Sequence, residues 1–184
     1  MTPEGDTLAR LRSTTRAQHA RLDALFPHGI RDDADYRRYL RGMQSVMAAM
    51  SRADPMLARV YAHSLRHLDE DLRILDCAAA IALTPDIAGR HRYWGHRYVI
   101  DGSSMGARVL VRDVAALGWT AEQGAAFLAY HLRRGRSVWP RLRAQLARLD
   151  ARDADPVVAS ADATFAFVAD AFTRAGDPPR QGRE

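Results

Sequence analysis

The sequence predicts an all-α protein folded as a single domain, and three observations carry that reading. No Asn-Gly or Asp-Gly turn sits between alternating segments, and β-branched residues do not gather into strand-length runs. Apolar residues instead recur every three or four positions along nearly the whole chain. The gaps between these periodic segments hold Pro, Gly, Asp, Ser and Thr where helices start and stop. With 184 residues, no internal repeat and no visible linker, residues 1–176 are expected to form one multi-helix bundle, and "DPPRQGRE" at 177–184 a disordered tail.

Helices are predicted over 5–26, 33–52, 54–63, 66–83, 86–117, 120–132, 137–149 and 155–175. The first ends before "PHG", and the Asp cluster of "IRDDADY" caps the second. Ser64 and Leu65 read as a junction between the third and fourth. "LTPD" offers Thr84 as a cap with Pro85 in the first helical position of the fifth. Gly118 stops that helix, and Thr120 with Gln123 makes a capping box for the sixth. Ser137 caps the seventh, which places Pro140 in its first turn, where a missing N–H costs little.

A hydrophobic share of 47% and a charged share of 27% describe an ordinary globular protein. "MTPEGDTLARLRS" lacks the apolar core of a signal peptide, and no apolar run is long enough to span a bilayer, so no membrane association and a cytoplasmic location are expected. One cysteine, Cys77, excludes an internal disulfide and a cysteine-built metal cluster, and "ILDCAAAIAL" makes it a small core residue. The formal charge is +5, and every Lys or Arg position is arginine, a residue suited to bidentate carboxylate and phosphate partners. Apart from "HLRRGR" the arginines are dispersed and no aromatics interleave with them, so no nucleic-acid partner is expected.

"LRSTTRAQHARLD" places a histidine within an apolar stripe that reads Leu8, Leu11, Thr15, His19, Leu22, Phe26. On an ideal helix Arg16 and Arg12 lie within roughly 60° and 20° of the direction of His19, and Asp23 within about 40° on the other side. A metal-ligating histidine needs an acceptor for its second ring nitrogen, which Asp23 could supply, and two guanidinium groups one and two turns behind suit an anionic ligand. A core histidine among exposed arginines has the same spacing.

"YVIDGSSMGARVL", residues 98–110, places Gly102 and Gly106 inside a helical pattern, where each glycine costs about 1 kcal/mol relative to alanine. Bare backbone there admits either another helix or a flat ligand, with Ser103 and Ser104 able to hold polar atoms over it. Later helices add Arg141, Arg143, Trp139, Phe165 and Phe167, which amphipathic packing explains without further function. The other histidines build no metal site: His63 and His67 straddle the expected junction, His91 and His96 point to different faces, and His28 and His131 read as helix-end residues.

This ordered set resembles the heme oxygenase family in its compact bacterial form: "LRSTTRAQH" with "ARLD", then "YVIDGSSMGARVL" about 80 residues later, a helix near Trp139, and a last helix holding "ATFAF". The resemblance spans about residues 8–172. It implies a bundle with a kinked distal helix, and it makes His19 the proximal ligand of heme iron with Asp23 accepting its other N–H. Arg12, Arg16 and Arg143 would meet the heme propionates, Tyr98 and Phe165 would contact the porphyrin, and Gly102, Ser103 and Gly106 would form the catalytic distal face. Heme would be both cofactor and substrate, opened with O2 to biliverdin, carbon monoxide and ferrous iron. The electrons would come from ferredoxin, flavodoxin or an NAD(P)H-dependent reductase, and the chain would act as a monomer or weak dimer.

Two positions depart from the family pattern. Animal members carry Asp directly after the first glycine, where this chain has Ser103, with Asp101 on the other side, and Ala107 replaces a further glycine. Two alternatives to the enzyme are a non-catalytic heme carrier or sensor on the same fold and a basic helical interaction module.

Overall fold

The computed structural model describes residues 6–78, 82–85, 89 and 91–176. Eight helices and no strand occur among them: α1 (Asp6–Thr14), α2 (Arg16–Asp23), α3 (Asp33–Ala53), α4 (Pro55–Ile74), α5 (Arg92–Ser103), α6 (Ala107–Ala116), α7 (Ala126–Leu146) and α8 (Ala151–Gly176). The expected tail at 177–184 lies outside the described residues. No helix in the described part is long and apolar enough to cross a membrane.

Helix α8 is the hub. It packs along α3 on one side and α5 on the other, and carries α1 and α2 across its surface, while α4 lies between α3 and α7. Large side chains that fill the interior, among them Leu11, Tyr36, Leu40, Met47, Tyr61, Leu68 and Phe127, are fully buried. The Tyr36 hydroxyl still makes a hydrogen bond of 2.7 Å to the Gly124 carbonyl, so burial leaves it satisfied.

Where caps are local, the sequence locates the helix ends. Asp32 caps α3 by accepting the Asp35 N–H at 2.8 Å. Gly118 takes a φ of +93° after α6, a conformation that glycine adopts without strain.

Several expected boundaries are corrected. The helix expected over 5–26 is broken at Thr15, whose buried Oγ1 donates to the Leu11 carbonyl at 2.7 Å and draws the turn off its regular course. No junction exists at Ser64, which is fully buried inside the continuous α4. That helix stops at Ile74 and not at 83, because Asp76 takes a φ of +46°. Thr84 and Pro85 start no helix; α5 begins at Arg92, and 86–88 and 90 lie outside the described residues.

The two helices expected over 120–132 and 137–149 are one, α7, beginning at Ala126. Thr120 and Gln123 instead close a turn through two backbone hydrogen bonds of 3.0 Å each. The cap of α7 comes from α4: the carboxylate of Asp71, fully buried, accepts the Ala126 and Phe127 N–H groups at 3.0 and 2.8 Å. Ser137 donates back to the Arg134 carbonyl at 3.1 Å and caps nothing, and Pro140 sits within the helix.

Candidate functional site

The Thr15 break turns the apolar stripe of the first segment. Leu11 and Thr15 are buried and Leu22 and Phe26 half-buried, but the His19 side chain is 64% exposed. His19 is therefore not a core histidine. Its Nδ1 lies 3.1 Å from Asp23 Oδ2, one turn on, and its ring is 5.8 Å from that of Phe165 in α8, tilted by 57°. An Nδ1–H donated to a carboxylate leaves Nε2 with its lone pair, the arrangement that a metal-ligating imidazole requires. Arg12 and Arg16 are exposed on the same segment.

Helix α5 ends at the second motif, and the kink belongs to the serines as much as to the glycines. Ser103 Oγ donates to the Ile100 carbonyl at 2.8 Å and Ser104 Oγ to the Asp101 carbonyl at 2.6 Å. The backbone N–H groups of Ser104, Met105 and Gly106 follow with bonds to the third residue back, which tightens the turn and ends the helix. Helix α6 then starts at Ala107.

One turn before the kink, the Tyr98 hydroxyl lies beside Thr15 and Arg12, so the glycine-bearing helix meets the first segment at its break; burial raises the Tyr98 pKa, which both neighbours oppose. The Trp139 ring of α7 is 5.7 Å from that of Tyr98 and covers Gly102, where a Cβ would lie 3.3 Å from the indole. Gly106 is different: it is exposed, and a Cβ there would approach only the Ser103 carbonyl oxygen, at 3.6 Å. Arg143 is exposed and, with Leu8, Pro140, Ala144 and Ala147, lines a shallow groove between α7 and α1. His19, Asp23 and Phe165 thus form one cluster, and Tyr98, Gly102 and Trp139 a second that touches Thr15 and Arg12.

Asp101 is turned away from the kink into the interior, where it is fully buried and accepts hydrogen bonds from Arg97 and Arg134. Arg97 also donates to the Tyr93 hydroxyl at 2.7 Å. This carboxylate is fully engaged and ties α5 to α7.

Three histidine readings are corrected. His131 ends no helix: it sits inside α7, 1% exposed, with Nε2 3.0 Å from Ser103 Oγ and its ring stacked 5.3 Å from Phe127. Burial pushes its pKa down to about 4. His63 and His67 share one face of the unbroken α4, both against the Tyr130 ring at 6.2 and 5.0 Å. His131, Gly135 and Trp139, at intervals of four, form the stripe of α7 that grips the kink, a spacing that marks one face only when 126–146 is a single helix. Among the described residues no three His, Cys, Asp or Glu side chains gather around a common point.

The all-α bundle has the heme oxygenase-like fold, and superposition on a solved structure shows it. The solved heme oxygenase from Neisseria meningitidis, in its NO- and CO-bound forms, superposes with a TM-score of 0.71 over 92% of this chain and 92% of that one, at 20% sequence identity. No family model and no curated protein sequence matches the chain.

Proposed function

We propose that this protein is a heme oxygenase: it binds heme and opens the porphyrin with O2 and externally supplied electrons, releasing biliverdin, carbon monoxide and ferrous iron. The observation that carries the reading is the His19–Asp23 pair. Its exposed imidazole is oriented by a carboxylate at 3.1 Å, which leaves Nε2 with its lone pair, on a segment that also presents two arginines.

Bound heme supplies the redox chemistry, and the protein supplies position and electrostatics. His19 would hold the iron through Nε2, with Asp23 fixing its tautomer and raising its basicity. Arg12, Arg16 and Arg143 would pair with the two propionates, for which guanidinium is the natural partner. Phe165, in ring contact with His19, would wall the proximal side. Tyr98 would contact the porphyrin, while Gly102 under the edge of Trp139, Ser103, and the open, exposed Gly106 would form the distal face that admits O2. An acidic donor, ferredoxin or flavodoxin, suits the +5 charge, and an NAD(P)H-dependent reductase would serve the same step.

Reconstitution with hemin followed by ascorbate or a ferredoxin system tests the proposal. Loss of the Soret band with growth of biliverdin absorbance supports the enzyme. A Soret band that persists through reduction identifies a carrier or sensor, and salt-dependent DNA affinity without hemin binding identifies a basic interaction module.

A further inference from the structure

Helix α7 holds the α5–α6 kink at successive turns. His131 reaches Ser103, Arg134 reaches Asp101, a Cβ on Gly135 would lie only 2.1 Å from Ser104 Oγ, and Trp139 covers Gly102. The Arg134 and Gly135 contacts fix backbone or neutralise charge. The His131 contact differs, because it determines what the Ser103 hydroxyl has left to offer.

Counting donors and lone pairs gives that remainder. A serine hydroxyl has one proton and two lone pairs. The Ser103 proton goes to the Ile100 carbonyl at 2.8 Å. His131 Nε2, 3.0 Å away, must then be the donor and take one lone pair. Its Nδ1 is buried with no protein partner, and a buried bare lone pair is tolerated more readily than a buried unpaired N–H, which selects the same tautomer. One lone pair remains on Ser103, so toward the open side of the kink this hydroxyl can only accept a hydrogen bond.

We infer that His131 is a positioning residue: by donating to Ser103 it makes Ser103 a fixed acceptor that orients a water molecule on the distal side of bound heme. The inference rests on the proposed heme reading, and in it the orienting group is a hydroxyl held from behind by an imidazole. The charged groups that face His131 are Asp101 and Arg134, which pair with each other, and Phe127 stacks on the ring, so His131 stays neutral and its N–H remains a donor.

Two measurements test it. In the heme-free protein labelled with 15N-histidine, long-range 1H–15N spectra should show His131 with Nε2 protonated and Nδ1 bare, and Ser103→Ala should shift its Nε2–H resonance. An Nδ1–H tautomer, or a resonance indifferent to Ser103→Ala, overturns the inference. In the ferric hemin complex, Ser103→Ala should lower the midpoint of the acid–alkaline spectral transition by about 0.7 pH unit, the equivalent of one hydrogen bond to the protonated form. His131→Phe should move it the same way, the double variant should go no lower than Ser103→Ala, and His131→Gln, whose amide N–H can replace the imidazole donor, should restore it. A midpoint unchanged in His131→Phe but shifted in Ser103→Ala overturns the inference and leaves the heme reading intact. Absence of any Soret band overturns both.

Discussion

Gly95 and Gly102 lie seven residues apart in α5, and alanine should have opposite effects at the two. In a helix, alanine is favoured over glycine by about 1 kcal/mol. At Gly102 the new Cβ meets only the edge of Trp139 at 3.3 Å, a half-buried ring that can tilt by a few tenths of an ångström. Gly102→Ala should therefore be neutral to about 1 kcal/mol stabilising, and the melting temperature of the heme-free protein should stay constant or rise by up to about 2–4 °C. At Gly95 the Cβ would fall 2.4 Å from Ser160 Oγ, 2.6 Å from Ser160 Cβ and 2.7 Å from the Ala161 backbone nitrogen. Ser160 Cβ and the Ala161 nitrogen are fixed to α8 and cannot yield, so overpacking of about 3 kcal/mol outweighs the helix gain and leaves a loss of about 2 kcal/mol. The expected fall in melting temperature is about 4–8 °C, read by far-ultraviolet circular dichroism. A Gly95→Ala protein as stable as wild type, or a Gly102→Ala protein that unfolds, would refute the α5 packing described above.

Other perturbations follow from the same contacts. Asp23→Ala should lower hemin affinity by about 10–100-fold, measured by Soret titration, because His19 loses the group that orients it; unchanged affinity would dissociate the pair from heme binding. Asp71→Ala should cost about 2–3 kcal/mol in urea unfolding, since two N–H groups of α7 lose their acceptor. Burial raises the Asp71 pKa from 3.8 to about 6, so the folded protein binds more protons than the unfolded chain in that window; its contribution to stability is fully present below 3.8 and is lost as pH rises through 6, a slope that Asp71→Asn should remove. His96 and His131 act in the opposite sense: burial lowers both from 6.5 to about 4, so their contribution is present above 6.5 and is lost as pH falls toward 4, and His131→Phe should flatten part of that acid limb in pH-dependent unfolding.

What the sequence makes legible depends on how far apart the interacting residues lie. The all-α class follows from periodicity, and Asp32 and Gly118 mark helix ends because their partners are within a few residues. The His19–Asp23 contact is legible for the same reason, since residues four apart on a helix meet whatever the rest of the chain does. The start of α7 is not legible locally, because its cap, Asp71, is 55 residues upstream on another helix. Ser64 looks like a break until α4 is packed, when burial holds the helix through it. Thr15 and Ser103 break helices through their own side-chain hydrogen bonds, an effect weaker than a proline and easily hidden beneath strong periodicity. Trp139 over Gly102 and His131 behind Ser103 are tertiary contacts that appear only once α7 is a single helix lying against the kink.

The most direct test is the identity of the iron's axial ligand. Resonance Raman spectra of the ferrous hemin complex should show an iron–imidazole stretch that disappears in His19→Ala and returns when free imidazole is added, with circular dichroism of the heme-free variant unchanged because the side chain is 64% exposed. An iron–imidazole stretch that survives in His19→Ala would place the ligand on another histidine and contradict the account.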